Sequence, residues 1–195
     1  MTAFVGEEQL LPCRHAARPP LGSDPRHLQV RTGVGMNRTP QMTAPILYLM
    51  VGLPGAGKTT QARRLEEEHR ALRLTPDEWM MPLFGWGEFE DKREVVEALL
   101  WKIAARALSL GVNVVLDYGL WGRSERDDYR ARAAALGARV QLHYLDVPLE
   151  ELWRRIEARN QAPTAGEVPI SRAQLEEFWS IFDPQRPTPE ELAES

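Results

Sequence analysis

The sequence predicts an α/β fold in which helices cover both faces of a parallel sheet. From Ile46 onward, short apolar runs alternate with amphipathic segments, an order typical of parallel strands joined by helical crossovers. A glycine-rich loop at 52–57 joins the first strand to the first helix. A chain of 195 residues has room for about one such domain, which we place at 45–190.

The four predicted strands are short apolar runs, each bounded by a turn or by a helix signal. The first leads directly into the glycine-rich loop, and the third follows Gly111, which ends a predicted helix. The strands are expected at 46–51, 71–75, 112–117 and 140–145.

Helices are predicted from apolar spacing and from three capping signals, which begin at Thr75, Ser124 and Ser171. The expected helices are about 57–70, one from 76, 90–110, 124–137, 148–160 and one from 171, with regular structure ending at the prolines 184, 187 and 189. The buried stripe of the longest helix is expected to contain Val96, Leu99, Leu100, Ile103, Ala107 and Leu110.

Residues 1–44 differ from the rest of the chain. Prolines and glycines interrupt their short apolar stretches, and such a composition does not bury enough surface to offset the entropy of ordering. We expect a disordered segment, or a leader that is not translated, in which case translation starts at Met36 or Met42.

The composition excludes several classes of protein. Cys13 is the only cysteine, so no intramolecular disulfide can form, and we expect a cytoplasmic protein. No apolar run approaches the roughly 20 residues that span a bilayer, so no membrane association is expected. The formal net charge of −4 gives no general attraction to nucleic acid.

The loop matches the phosphate-binding pattern G-x-x-x-x-G-K-[ST] at every required position. Its glycines let successive N–H groups turn toward one anion, and the following helix adds its positive end. Lys58 is expected to reach the β- and γ-phosphates, and the Thr59 hydroxyl to bind Mg²⁺. The alternative is a turn that binds nothing. The nucleotide-binding residues are expected to be Gly52, Gly55, Ala56, Gly57, Lys58, Thr59 and Thr60.

Asp117 closes the third predicted strand after three apolar residues. Ligands of open α/β sheets bind beyond the carboxyl ends of the strands, so Asp117 is a candidate Mg²⁺ ligand, directly or through water. The alternative is a polar residue that starts a turn before Gly119.

These segments resemble the small P-loop kinases, AAA-type ATP-binding proteins that include zeta-toxin-like, polynucleotide-kinase-like and chloramphenicol phosphotransferase-like enzymes. The resemblance covers roughly 46–190 and is carried by the phosphate loop, Asp77 just past strand two, Val-Val-Leu-Asp at 114–117 and Arg-Arg-Ile-Glu-Ala-Arg at 154–159. It implies a three-layer α/β/α P-loop NTPase fold and transfer of the ATP γ-phosphate to a hydroxyl.

The resemblance also implies strand order 2-3-1-4-5 and a lid, here at about 161–170. Residues 188–195 do not have the pattern of a strand, so the final edge strand is expected to be absent, leaving the order 2-3-1-4. An absent edge strand exposes the flank of strand four and should lower stability.

Three further residues receive candidate roles. The resemblance implies that Asp77 is the general base, although an acid in the first turn of a helix also stabilises that helix. Arg155 and Arg159 lie along the margin of the inward stripe of their helix and could reach a phosphate, while Arg154 points away. In the family, only the lid arrangement brings these arginines to the phosphates. The alternative is that they do no more than stabilise the negatively charged end of their helix.

Two residues are candidates for binding the acceptor. Arg126 could bind an anionic acceptor, although the arginines here could instead form a solvated face. Trp121 could stack on an acceptor ring or pack beneath a loop.

The leading hypothesis is an ATP- and Mg²⁺-dependent kinase of a small hydroxylated molecule, in which Lys58 and an arginine stabilise the transition state. The alternatives are a nucleic-acid 5′-hydroxyl kinase, against which the acidic net charge weighs, and a nucleotide-binding switch without transfer.

Overall fold

Four parallel strands form the centre of the protein. They are β1 (Ile46–Val51), β2 (Leu72–Leu74), β3 (Val114–Gly119) and β4 (Arg139–Tyr144). The computed structural model describes residues 43–84, 90–161 and 169–193, and in these residues the strands lie in the order β2-β3-β1-β4. All three pairings are parallel, so the predicted sheet and its order are confirmed.

The helices follow the strands in the alternating order that the sequence predicts. They are α1 (Lys58–His69), α2 (Pro76–Phe84), α3 (Glu90–Ser109), α4 (Arg123–Ala135), α5 (Leu149–Gln161), α6 (Arg172–Phe182), a 3-10 turn (Asp183–Gln185) and α7 (Pro189–Ala193). In the described part of the chain, no helix combines the length and the apolarity needed to cross a bilayer.

The two faces of the sheet pack against different helices because successive side chains of a strand point to opposite faces. On one face, residues of the strands and of α1 form a cluster that contains Tyr48, Met50, Ala62, Leu65, Ala71 and Val115. From the other face, Leu47, Leu49 and Val51 join a larger cluster with side chains of α3, α4, α5 and α6. Helices therefore cover both faces, which gives three layers.

The register of β1 places the glycine-rich loop beside the end of β3. Leu49 of β1 lies opposite Leu116 of β3 and Leu142 of β4. One residue beyond β1, the N–H of Gly52 donates a 3.1 Å hydrogen bond to the carbonyl of Gly119. The loop and the residues that end β3 thus meet at the carboxyl edge of the sheet, where open α/β sheets bind their ligands.

The buried stripe of α3 differs from the sequence prediction. Leu99, Ile103 and Leu110 were expected to be buried, but they are 50%, 39% and 58% exposed. The prediction is wrong because the apolar face of this helix is wider than the surface that the sheet covers. The buried positions, spaced by four residues, are Val96, Leu100, Ala104 and Leu108.

One of the predicted helix caps is also wrong. Helix α4 begins one residue before Ser124, with Gly122 as an extended N-cap that has no side-chain cap bond. At α6 the predicted capping box is present, since Ser171 and Gln174 each accept a hydrogen bond from the backbone N–H of the other.

The expectation that proline ends regular structure after residue 184 is wrong as well. Pro189 occupies the first turn of α7, where its missing N–H costs no helical hydrogen bond. The Thr188 hydroxyl accepts a hydrogen bond from the N–H of Glu191 at 3.2 Å. In the described residues β4 forms an edge of the sheet, as expected from the absent strand.

Two sequence predictions concern residues that the structure does not describe. Of the predicted leader, 1–44, residues 1–42 lie outside the described part of the chain. Of the predicted lid, about 161–170, residues 162–168 lie outside it. Both stay predictions.

Candidate active site

The glycine-rich loop turns sharply between β1 and α1. Gly52, Gly55 and Gly57 have φ angles of 147°, 82° and 96°, which residues with a Cβ rarely adopt. Gly57 precedes α1, and no side chain caps that helix. The N–H groups of the first turn have no partner within the helix, so this helix end is built to receive an anion.

The loop also lies so close to its neighbours that it has little space for side chains. A Cβ on Gly55 would lie 3.0 Å from Cγ1 of Ile156 and 3.3 Å from the carbonyl oxygen of Leu152. A Cβ on Gly52 would lie 3.1 Å from the carbonyl oxygen of Leu145. The packing of α5 and of the residue after β4 thus requires glycine at both positions.

Lys58, the first residue of α1, is folded back toward the loop. Its Nζ donates a 2.9 Å hydrogen bond to the carbonyl of Leu53. Burial lowers the pKa of Lys58 to about 8, although the charges of Asp117 and Asp77 oppose this shift. A polyanion in the loop would replace the lost water and favour the charged ammonium group.

Asp117 lies within β3, two residues before the end of the strand, and is only 6% exposed. Its carboxylate accepts a 3.4 Å hydrogen bond from the hydroxyl of Thr75. Burial raises the pKa of Asp117, while the hydroxyl of Thr59 and the charge of Lys58 oppose the rise. The two candidate metal-binding residues, on α1 and β3, line the same cleft.

The oxygen donors of Thr59 and Asp117 in this cleft fit Mg²⁺ bound together with phosphates. Mg²⁺ prefers oxygen ligands and commonly takes one or two protein groups, with phosphate and water filling its other positions. Thr59 and Asp117 supply one hydroxyl and one carboxylate. Among the described residues, no three His, Cys, Asp or Glu side chains converge to hold a metal by themselves.

Asp77, in the first turn of α2, is tied to α3. Nη1 of Arg93 donates a 2.8 Å hydrogen bond to Oδ1 of Asp77, and Nε of Arg93 lies 2.8 Å from Oε1 of Glu97. Nη2 of Arg93 contacts the carbonyl of Tyr118 at 3.4 Å. Although Asp77 is held in this way, its side chain is 75% exposed and accessible to a ligand.

The arginines of α5 point in different directions, as the helix geometry predicts. Arg154 is 71% exposed, whereas Arg155 and Arg159 both line the same cleft as the phosphate loop. Nη1 of Arg155 lies 3.4 Å from the carbonyl oxygens of Gly55 and Ala56. The Nε of Arg159 is buried and has no hydrogen-bond partner among the described residues.

Trp121 lies between the phosphate loop and α6. Its Nε1 donates a 3.2 Å hydrogen bond to the carbonyl of Gly52, and its ring centroid is 5.3 Å from that of Phe178. It lines the cleft, so it both supports the loop and presents a surface to a ligand.

Arg126 does not belong to the cleft. It is fully buried, and its Nε donates to Oε1 of Glu191 at 2.7 Å. Nη1 donates to the carbonyls of Leu120 and Trp121 at 3.1 and 2.8 Å. Both sequence interpretations of Arg126, as an acceptor-binding residue and as part of a solvated face, are corrected, because α7 covers this side chain.

These groups surround one cleft of about 1200 Å³ at the carboxyl edge of the sheet. Of the candidate residues it contains Gly55, Gly57, Lys58, Thr59, Thr60, Asp77, Asp117, Trp121, Arg155 and Arg159. Sequence reasoning missed five charged lining residues, which are Arg63, Glu78, Arg93, Glu97 and Glu125. The four-residue spacing of Arg93 and Glu97 beside the buried Val96 was a signal, but charged pairs with this spacing are also common on exposed helix faces.

Comparison with known proteins agrees with this architecture. A chain of the Pnkp1/Rnl/Hen1 RNA repair complex has a TM-score of 0.62 and 22% identity over 78% of this chain, which spans only 48% of that chain. A candidate kinase from Chloroflexus aurantiacus has a TM-score of 0.61 and 20% identity over 75% of this chain and 84% of its own. Kti12 from Chaetomium thermophilum, in complex with ADP-AlF3, has a TM-score of 0.58 and 19% identity over 74% of this chain and 82% of its own.

At these identities the similar structures show the fold alone. No curated protein gives a significant match. The family described as an AAA domain matches residues 47–184, which include the sheet, the phosphate loop and both α5 arginines of the cleft. The chain therefore belongs to the AAA domain family, with the fold of the small P-loop kinases.

Proposed function

We propose that this protein is an ATP- and Mg²⁺-dependent phosphotransferase that acts on a hydroxyl group of a small molecule. The observation that carries the proposal is that Lys58 and Thr59 of the phosphate loop line the same cleft as the buried carboxylate of Asp117 on β3. A hydroxyl and a carboxylate beside the phosphate loop are the oxygen ligands that a nucleotide-bound metal needs.

The nucleotide end of the cleft is formed by the phosphate loop, Lys58, Arg155 and Arg159. ATP bound with Mg²⁺ supplies the γ-phosphoryl group, to which the acceptor oxygen forms a new P–O bond while the electron pair of the cleaved bond leaves with ADP. Lys58 and the two arginines hold positive charge where negative charge develops. Thr59 and Asp117 would hold the metal.

The acceptor end lies toward α2 and α3. Asp77 is exposed to the cleft, and among the described residues its Oδ1 accepts from Arg93 while its Oδ2 has no hydrogen-bond partner. It takes the proton of the acceptor hydroxyl, and Arg93 keeps its carboxylate oriented. Trp121 and Phe178 form the apolar wall that excludes water from this side.

An acceptor panel tests the proposal. Purified protein with Mg-ATP is incubated with sugars, amino sugars, nucleosides and 5′-hydroxyl oligonucleotides, and phosphorylated products are identified by mass spectrometry. Transfer by the wild type but not by Lys58→Ala or Asp77→Asn supports the proposal. Lys102→Ala, an exposed lysine of α3, is the matched control and should retain activity.

The same panel separates two other functions. The likeness to a chain of an RNA repair complex motivates the oligonucleotide arm, and transfer confined to oligonucleotides would replace the small-molecule acceptor. ATP binding without transfer to any acceptor would indicate a nucleotide-dependent switch. We expect the reaction to occur in the cytoplasm, since a chain with a single cysteine forms no intramolecular disulfide that an oxidising compartment would maintain.

A further inference from the structure

Thr75 lies beside the candidate metal ligand Asp117. Leu74 of β2 is opposite Leu116 of β3, so the parallel register brings the next residue of each strand, Thr75 and Asp117, together. The Thr75 hydroxyl donates a 3.4 Å hydrogen bond to Oδ2 of Asp117. Thr75 lines the cleft but is only 5% exposed. With so little exposure, its side chain interacts mainly with protein groups.

Arg73 determines the direction in which the Thr75 hydroxyl donates. Nη1 of Arg73 donates a hydrogen bond to Oγ1 of Thr75. A guanidinium group has only donors, so the Thr75 oxygen is the acceptor at this contact. The single proton of the hydroxyl is then left for Asp117, whose ionised carboxylate only accepts. A chain of hydrogen bonds therefore runs from Arg73 through Thr75 to Asp117.

Two glutamates on different helices hold Arg73 in place. Its Nε donates to Oε2 of Glu66 on α1 at 2.9 Å. Its Nη1 and Nη2 donate to the two carboxylate oxygens of Glu78 on α2 at 2.9 and 3.3 Å. The Arg73 side chain is only 12% exposed. Contacts to both helices thus fix the guanidinium that orients Thr75.

The charge of Arg73 also favours the form of Asp117 that binds a metal. A carboxylate ligand has to be ionised, and outer partners that hold it in one orientation strengthen metal binding. Burial raises the pKa of Asp117, and the positive charge of Arg73 is among the effects that oppose the rise. The chain of hydrogen bonds therefore supplies both orientation and charge to this carboxylate.

We propose that Thr75 is a positioning residue for Mg²⁺ binding, which holds the Asp117 carboxylate in place while Arg73 directs the Thr75 hydroxyl toward it. This inference rests on the metal site of the proposed function, in which Asp117 is a ligand. The competing role for Thr75 is that of a helix cap, which the sequence predicts and which would contribute to stability alone.

The magnesium preference of the protein tests the inference without any transfer reaction. It is the Kd for ATP in EDTA divided by the Kd for ATP with excess Mg²⁺, both measured by calorimetry. Thr75→Val keeps the shape of the side chain and removes the hydroxyl. It should lower the preference by about tenfold, at the lower end of the usual effect of an outer partner of a ligand, and leave the Kd in EDTA within about twofold.

Three further variants assign the effect. Thr75→Ser restores the hydroxyl and should restore the preference. Thr188→Val is the matched control, because it removes a hydroxyl that accepts a 3.2 Å hydrogen bond from the N–H of Glu191, far from the cleft in sequence, and should leave the preference unchanged. Arg73→Met keeps an unbranched side chain without donors and should lower the preference in the same direction as Thr75→Val. Thermal unfolding verifies that each variant folds.

A double variant shows whether Thr75 acts through Asp117. Asp117→Asn alone should abolish the magnesium preference, and the addition of Thr75→Val should then have no further effect on the Kd with Mg²⁺. A further loss in the double variant would show that Thr75 contacts the metal itself, which would overturn a positioning role.

The remaining outcomes separate the inference from the proposed function. A less stable Thr75→Val with an unchanged preference, or a Thr75→Ser that fails to restore it, would overturn the inference. An unchanged preference in Arg73→Met would overturn the role of Arg73. If Asp117→Asn keeps the preference, the metal site of the proposed function fails and the inference fails with it. If no acceptor is phosphorylated but the preference behaves as expected, the phosphotransferase is refuted and the positioning role stands.

Discussion

Arg126 and Glu191 form a fully buried ion pair that joins α4 to α7. Their exposed side-chain fractions are 0% and 1%, and Nε of Arg126 lies 2.7 Å from Oε1 of Glu191. Arg126 also donates to the carbonyls of Leu120 and Trp121, and Trp121 in turn donates to Gly52 of the phosphate loop. The last described helix is thus connected through hydrogen bonds to the nucleotide site.

Glu191→Ala should strongly destabilise the protein. The substitution leaves the Arg126 guanidinium buried without its counter-ion, and breaking a buried pair in this way costs about 3–5 kcal/mol in the free energy of unfolding. Urea unfolding measures the loss. Glu190→Ala, at the exposed neighbour, should change stability by less than about 0.5 kcal/mol, and equal stabilities of the two variants would show that the pair contributes little.

The same pair should make the protein sensitive to acid. Although burial opposes ionisation, the hydrogen bonds and charges of Arg126 and Arg130 lower the pKa of Glu191 below its usual value. A carboxyl with a lowered pKa contributes stability above its unfolded pKa and loses it as pH falls through the folded pKa. Unfolding curves between pH 7 and pH 3 should therefore fall less steeply for Glu191→Gln than for the wild type.

Nucleotide affinity should decrease as pH rises above about 8, because burial lowers the pKa of Lys58 to about 8 in the free protein. Phosphates bind the charged ammonium group and raise its pKa, so binding takes up a proton in this range. Calorimetry from pH 7 to pH 9.5 measures the slope. Lys58→Arg keeps its charge throughout, and an identical slope in this variant would assign the titration to another group.

Asp117→Asn should separate metal binding from folding. Burial raises the pKa of Asp117, so an amide at this position removes a charge that is poorly solvated, and the ligand-free protein should be at least as stable as the wild type. The additional thermal stabilisation by Mg-ATP over ATP alone should disappear. Asp127→Asn, at an exposed position of α4, should preserve it, and a Mg²⁺ effect that survives in Asp117→Asn would remove Asp117 from the metal site.

Gly55→Ala should damage the phosphate loop beyond simple backbone strain. Its φ is 82°, and an added Cβ would lie 3.0 Å from Cγ1 of Ile156. Gly137 is the matched control, because its φ is 71° but its Cβ would meet nothing within 4 Å. Both variants should lose about 1–2 kcal/mol from the left-handed backbone, and only Gly55→Ala should also lose nucleotide binding. Equal nucleotide affinities would contradict the steric argument.

Local sequence patterns were sufficient for the phosphate loop and for the order of strands and helices. Glycine is required where φ is positive, and apolar periodicity follows the direction of each side chain. Both signals are therefore carried by residues that are close together in the sequence. For the same reason Thr59, at the start of α1, and Asp117, near the carboxyl end of β3, could be assigned to one edge of the sheet from the sequence alone.

Other features depend on how the elements pack. The surface that packs against α3 is narrower than the apolar face of the helix, so Val96 is buried and Leu99 stays exposed. The burial of Arg126 requires α7, 65 residues later in the chain, to bring Glu191 to it. Arg93, Glu97 and Glu125 reach one cleft because α3 and α4 converge there, and charges on separate helices carry no local signal of a shared site. Contacts between distant segments arise only when the chain has folded, so the grouping of these charges in one cleft is a property of the tertiary structure.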